Sequence, residues 1–133
     1  MTDQPPSLHD QPVHLGLGAT ADVEPLFTGD LSWYEGYVAR HGGDGAEGRL
    51  VSMHTFGEAW DVWEVHPNGH EVVLCVDGSI ELVQEIDGAE VQTTLTAGQY
   101  AINSPGTWHT ANVDGAATAV FITAGEGTQH RPR

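Results

Sequence analysis

Within the stretch Asp61-Val62-Trp63-Glu64-Val65-His66-Pro67-Asn68-Gly69-His70-Glu71, carboxylates and imidazoles stand among apolar residues at strand-like spacing. On an extended strand Glu64 and His66 share one face, while Trp63 and Val65 share the other. After the Pro-Asn-Gly turn the chain returns with Glu71, and alternation puts Val73 and Cys75 on its face. Two strands paired through that turn would bring Glu64, His66 and Glu71 toward one point. A fourth group, His109, follows the turn Asn103-Ser104-Pro105-Gly106-Thr107-Trp108. Two imidazoles and two carboxylates suit a divalent ion such as Mn, Fe, Ni or Zn. The plainer alternative is a pair of satisfied core imidazoles, with Glu64 hydrogen-bonded to a neighbour. His70, next to Glu71, points away from such a site. His54, on the preceding run, could face the same cavity as an acid or base, a role open to Glu64 as well. Trp60, Trp63, Trp108 and Tyr100 are candidate linings for a substrate cavity, although parity sets Trp63 opposite Glu64.

Other chemistries lose their support. The chain of 133 residues has four Arg and no Lys, which excludes a Schiff-base or phosphate-loop lysine. A net charge of −15 repels nucleic acid and anionic lipid, so neither is expected as a partner. Gly43-Asp44-Gly45-Ala46-Glu47-Gly48 matches a dinucleotide fingerprint by letters only. It precedes a strand and puts acidic residues where phosphate would sit, so it reads as a mobile acidic loop. His70-Glu71 starts no zinc-protease motif, and no C-x-x-C or G-x-S-x-G is present. Cys75, a lone cysteine, reads as a small buried hydrophobe. With no long apolar run and no basic, apolar leader at Met1–Pro6, a cytoplasmic protein is expected.

The elements that must position these residues are short. Strands are expected at Ser32–Ala39, Arg49–Phe56, Asp61–His66, Glu71–Val76, Ser79–Glu85, Glu90–Leu95, Tyr100–Asn103, His109–Val113 and Ala117–Thr123, with antiparallel neighbours joined by Pro67-Asn68-Gly69, Asp77-Gly78, Asp87-Gly88, Ala97-Gly98 and Asp114-Gly115. No sustained 3.6-residue apolar period appears, so the fold is read as all-β with little helix, at most a turn near Ala21–Pro25. Three regions are expected: an extended arm over 1–30, a barrel over 31–124 and a solvated tail over 125–133. The alternative for the tail is that Arg131 closes over the cavity or a partner subunit.

Glu64-x-His66-x4-Glu71-x6-Gly78 and Gly98-x7-Gly106-x2-His109 resemble the two cupin motifs, G-x5-H-x-H-x3–4-E-x6-G and G-x5-P-x-G-x2-H-x3-N. The resemblance spans roughly residues 48 to 123 and implies a double-stranded β-helix, or jelly-roll barrel. It also implies a homodimer exchanging N-terminal strands, with the arm as the exchanged piece. Four departures stand out: Glu64 in place of the first motif histidine, Glu58 at the opening glycine with Gly57 beside it, Ser104 at the motif proline with Pro105 next, and Val113 at the terminal Asn with Asn112 before it. A carboxylate in place of an imidazole lowers the charge of a divalent site from about +1 to zero, which favours harder ions over copper and weakens the hold on anionic substrates. The implied function is a metal-dependent oxygenase, isomerase or cyclase acting on a small organic molecule. The rival is a binding or sensor module without turnover, and a weaker third option is a metal-free sugar-nucleotide epimerase.

Overall fold

The computed structural model describes residues 4–133, so the first three residues of the expected arm lie outside it. Ten strands and one α-helix follow in the order β1 (Val13–Gly16), β2 (Thr20–Val23), α1 (Leu31–His41), β3 (Arg49–Phe56), β4 (Val62–Val65), β5 (Glu71–Ile86), β6 (Ala89–Thr96), β7 (Tyr100–Asn103), β8 (His109–Asn112), β9 (Ala117–Thr123) and β10 (Gln129–Pro132). A 3-10 segment, Gly42–Glu47, joins α1 to β3. All strand pairs are antiparallel. One layer runs β2-β1-β3-β9-β5-β7 and the other β10-β4-β8-β5-β6. This is a double-stranded β-helix, as expected.

The long strand β5 belongs to both layers. Its first half, Glu71–Gly78, pairs with β9, and its second half, Ser79–Ile86, pairs with β6. A register shift between Cys75 and Asp77 marks the corner. Gly78 makes the corner possible: its φ is +72°, and a Cβ there would lie 2.1 Å from the Ala116 carbonyl oxygen. Asp77-Gly78 is therefore a bulge inside one strand, not the hairpin expected. Of the five proposed turns only Asp87-Gly88 closes a hairpin, with Asp87 and Gly88 both at positive φ. Pro67-Asn68-Gly69 and Asp114-Gly115 instead carry the chain from one layer to the other.

Alternation then fills the space between the layers. Val73, Cys75, Ile80, Leu95, Ala111, Ala117, Ala119 and Phe121 form one buried cluster, with Cys75 the small hydrophobe expected.

The expected strand at Ser32–Ala39 is the helix α1. Its start is set by Asp30, whose carboxylate accepts the Trp33 backbone N–H at 3.1 Å. Trp33, Tyr37 and His41 stand four apart and face inward as one short stripe. The turn expected near Ala21–Pro25 is mostly β2. The tail is not free either, since Gln129–Pro132 pairs along β4 as β10. Nor is the acidic Gly43–Gly48 loop loose: Asp44 accepts from His14 Nε2 at 2.7 Å. Among the described residues no helix is long and apolar enough to cross a membrane.

Candidate metal centre

The crossing turn after β4 changes how the four predicted ligands meet. β4 and β5 are not paired; β4 lies between β8 and β10, and Glu64 stands directly across from His109. Glu71 comes from the other layer, at the start of β5. Glu64, His66, Glu71 and His109 nevertheless converge, each offering a donor atom within 4.8 Å of the others. His66 Nε2 lies 2.8 Å from Glu64 Oε1 and 3.1 Å from Glu71 Oε2, while His109 Nε2 lies 3.2 Å from Glu71 Oε1. Ligands held about 2.1 Å from a common ion at right angles stand about 3 Å apart, which matches these separations.

Hydrogen bonding on the outside of the cluster fixes what faces inward. Thr128 donates its hydroxyl proton to the Gly125 carbonyl at 2.8 Å, so it accepts from His66 Nδ1 at 2.7 Å. The Thr107 carbonyl can only accept, so His109 Nδ1 donates to it at 3.1 Å. Both imidazoles thus direct Nε2 into the cluster. There Nε2 of His66 and of His109 are buried, and the carboxylate contacts lack hydrogen-bond geometry. Glu71 is held at both oxygens: Asn103 donates to Oε1 at 3.0 Å and Thr123 to Oε2 at 2.6 Å. Asn103, fully buried, accepts in turn from Gln84 at 2.7 Å. Glu64 Oε2 accepts from His130 at 2.7 Å, leaving Oε1 for the cluster. Two orphaned buried nitrogens beside two anchored carboxylates are a donor set that fits a divalent cation.

The charges agree. Burial disfavours the charged form of every member, but the carboxylates of Glu64 and Glu71 overcome it at both histidines and raise each to about 9. In the same way the imidazoles of His109, His130 and His66 overcome burial at Glu64 and hold its carboxyl well below the usual range.

A second group of possible ligands, His14, His41 and Asp44, shows the contrast. His14 Nδ1 is bonded to the Tyr37 hydroxyl at 2.6 Å and Nε2 to Asp44 at 2.7 Å. His41 Nε2 meets Glu24 at 2.8 Å, and the two rings stack at 3.8 Å. Both His14 nitrogens are engaged, so this network reads as a tie between α1 and β1.

The predicted lining divides. Trp60 stands at the site, its ring 6.3 Å from that of His109 and within 6.0 Å of Phe121 and Phe56. Trp63 and Trp108 do not line it. Each is next to an inward ligand and so points outward, where both rings flank the Arg131 guanidinium at 5.2 and 4.5 Å. Arg131 also bonds Glu85, and so it does not close over the cavity. Tyr100 is 63% exposed on the outer face of β7, away from the cluster. His54 points inward without joining the ligands; it packs against Phe27 at 5.0 Å and Phe121 at 5.8 Å, and burial keeps its imidazole neutral at pH 7. His70 is exposed, as parity required.

A ten-stranded β-helix with an interior His/Glu cluster between its layers defines the class of small barrel proteins with a potential metal centre. A cupin domain model matches residues 53–125, more than half of the chain, and the chain belongs to the cupin domain family. A double-stranded β-helix protein from Klebsiella pneumoniae is 23% identical, with 63% of this chain and 73% of that one covered at a TM-score of 0.52. Oxalate oxidase is 18% identical, covering 68% and 50% at 0.55. The coconut allergen cocosin is 15% identical, covering 63% and 23% at 0.54. At these identities the likeness shows the fold alone. No curated protein matches the chain in sequence.

Proposed function

We propose that this cupin is a divalent-metal-dependent enzyme acting on a small organic molecule, of oxygenase, isomerase or cyclase type. The orphaned Nε2 atoms of His66 and His109, facing the anchored carboxylates of Glu64 and Glu71, carry the reading. Those four side chains would hold Mn, Fe, Ni or Zn, which supplies a Lewis acid for substrate oxygens. The chain's own contribution is positional. Thr128 and the Thr107 carbonyl keep the imidazoles in one tautomer, and Asn103 and Thr123 hold both oxygens of Glu71 in place. Phe56, Trp60 and Phe121 give the cluster an apolar wall that keeps water from a reacting molecule. A proton would be moved by Glu64 or by His54, the latter buried among those rings with its imidazole pKa pushed down.

Elemental analysis of protein grown in metal-rich medium tests this. About one equivalent of Mn, Fe, Ni or Zn, lost in the double variant His66→Ala/His109→Ala, is expected. Wild-type protein free of metal overturns the reading and leaves a ligand-binding module, which the aromatic wall also suits. We place the protein in the cytoplasm, in keeping with the free thiol of Cys75.

A further inference from the structure

Among the described residues, the C-terminal segment of β10 and the turn before it touches two of the four cluster residues from outside. Thr128 meets His66 and His130 meets Glu64, each at 2.7 Å. His130 stands directly across from Glu64 in the β10–β4 pairing. The flanking arginines fix that register. Arg131 lies between Trp63 and Trp108 and bonds Glu85. Arg133 donates to the Trp60 and Ala111 carbonyls at 3.1 and 3.0 Å, and to Asn112. Two of the chain's four arginines are thus spent on holding nine residues in place.

We propose that residues 125–133 are a clasp that builds the metal centre, with Thr128 and His130 as positioning residues. This rests on the metal reading and adds to it. Glu64 stands where the resemblance implies a histidine, and a carboxylate there brings a second oxygen that an imidazole lacks. His130 engages that oxygen. Glu64 is thereby limited to one donor atom, Oε1, and prevented from turning to chelate an ion with both. Thr128 does the equivalent for His66, whose Nδ1–H it accepts, so that Nε2 keeps a lone pair for the ion.

The test uses the full-length chain loaded with Mn(II), read by chelator competition and by electron paramagnetic resonance, with thermal melting as the measure of fold. Thr128→Val keeps the side-chain shape but removes the acceptor; His130→Ala removes the donor. Each should weaken Mn(II) binding about 10- to 100-fold and change the resonance line shape while the metal-free chain still melts in one cooperative transition. Thr128→Ser and His130→Gln restore an acceptor and a donor at the same places and should recover affinity to within about threefold. Wild-type affinity and line shape in both Thr128→Val and His130→Ala overturn the clasp while the metal reading stands. So does loss that the conservative pair fails to recover, which makes the strand mere scaffolding. A wild-type chain that takes up no ion overturns both.

Discussion

With no ion bound, the imidazoles of His66 and His109 sit between two carboxylates, and that charge arrangement has a sign that can be measured. Both are raised from an ordinary value of 6.5 to about 9, against the pull of burial. A raised group stabilises the folded state fully below about pH 6.5 and loses that contribution as pH climbs through about 9. Metal-free protein should therefore melt at progressively lower temperature between those limits. An ion needs the Nε2 lone pairs, so it competes with the same protons, and its apparent affinity should rise across that window. The gain in melting temperature on adding Mn(II) is expected to be larger at about pH 8 than at about pH 6; a gain that is flat with pH would remove both imidazoles from the ligand set. Asn103 gives a second prediction. Asn103→Ala takes the donor from a buried carboxylate oxygen of Glu71 and one of two acceptors from the Gln84 amide, which keeps the Ile102 carbonyl at 3.0 Å, and should cost about 2 kcal/mol in urea unfolding. The clustering of Glu64, His66, Glu71 and His109 was legible from parity and from two motifs, because groups that could hold a metal recur at fixed spacings. Asn103, Thr123, Thr128 and His130 were not, because a hydrogen-bond partner can arrive from any strand that happens to lie alongside.

Among the elements, α1 and β5 show why local patterns misled. The Leu31–His41 segment is rich in Trp, Tyr and Val, which favour strands, and only the stripe Trp33/Tyr37/His41 turns inward. The cap at Asp30 and that four-residue spacing were the available signals. Asp30→Ala should fray the helix and lower its far-ultraviolet ellipticity, with a fall in melting temperature. In β5, Asp77-Gly78 has the letters of a hairpin turn, yet alternation resumes beyond it because the chain turns a corner rather than reversing. What decides is the neighbouring backbone at Ala116, which no local window contains. Gly78→Ala should destabilise the barrel by at least about 2 kcal/mol through positive φ and the contact with that carbonyl, as read by urea unfolding.

Across the whole molecule, the outer face of the first layer is apolar in a chain of net charge −15. Strand register lines up Val23, Val13, Val51, Ile122, Val72 and Ile102 across six strands, and none of the six is buried. A second row, Met53, Val120, Leu74 and Tyr100, runs beside it. Six strands at about 4.8 Å spacing and these rows make a face on the order of 500 Å², uncharged along both rows. A second copy can lie on such a face without bringing like charges together, and the arm, paired along β3 of its own chain as β1 and β2, already forms part of it. We therefore expect a homodimer through this face. Light scattering of wild type and of Ile122→Glu decides it: dimer and monomer respectively are expected, and a wild-type monomer refutes the pairing.

The cluster takes Glu71 from one layer and Glu64, His66 and His109 from the strands and turn of the other, across a crossing that β5 makes only at its corner. An ion held by all four would act as a rivet through the barrel wall to wall. Its presence would show less in any single bond than in how the two layers come apart. Amide hydrogen exchange at Val72–Cys75 and at Thr110–Ala111, independent in the metal-free chain, should slow together once the rivet is in place.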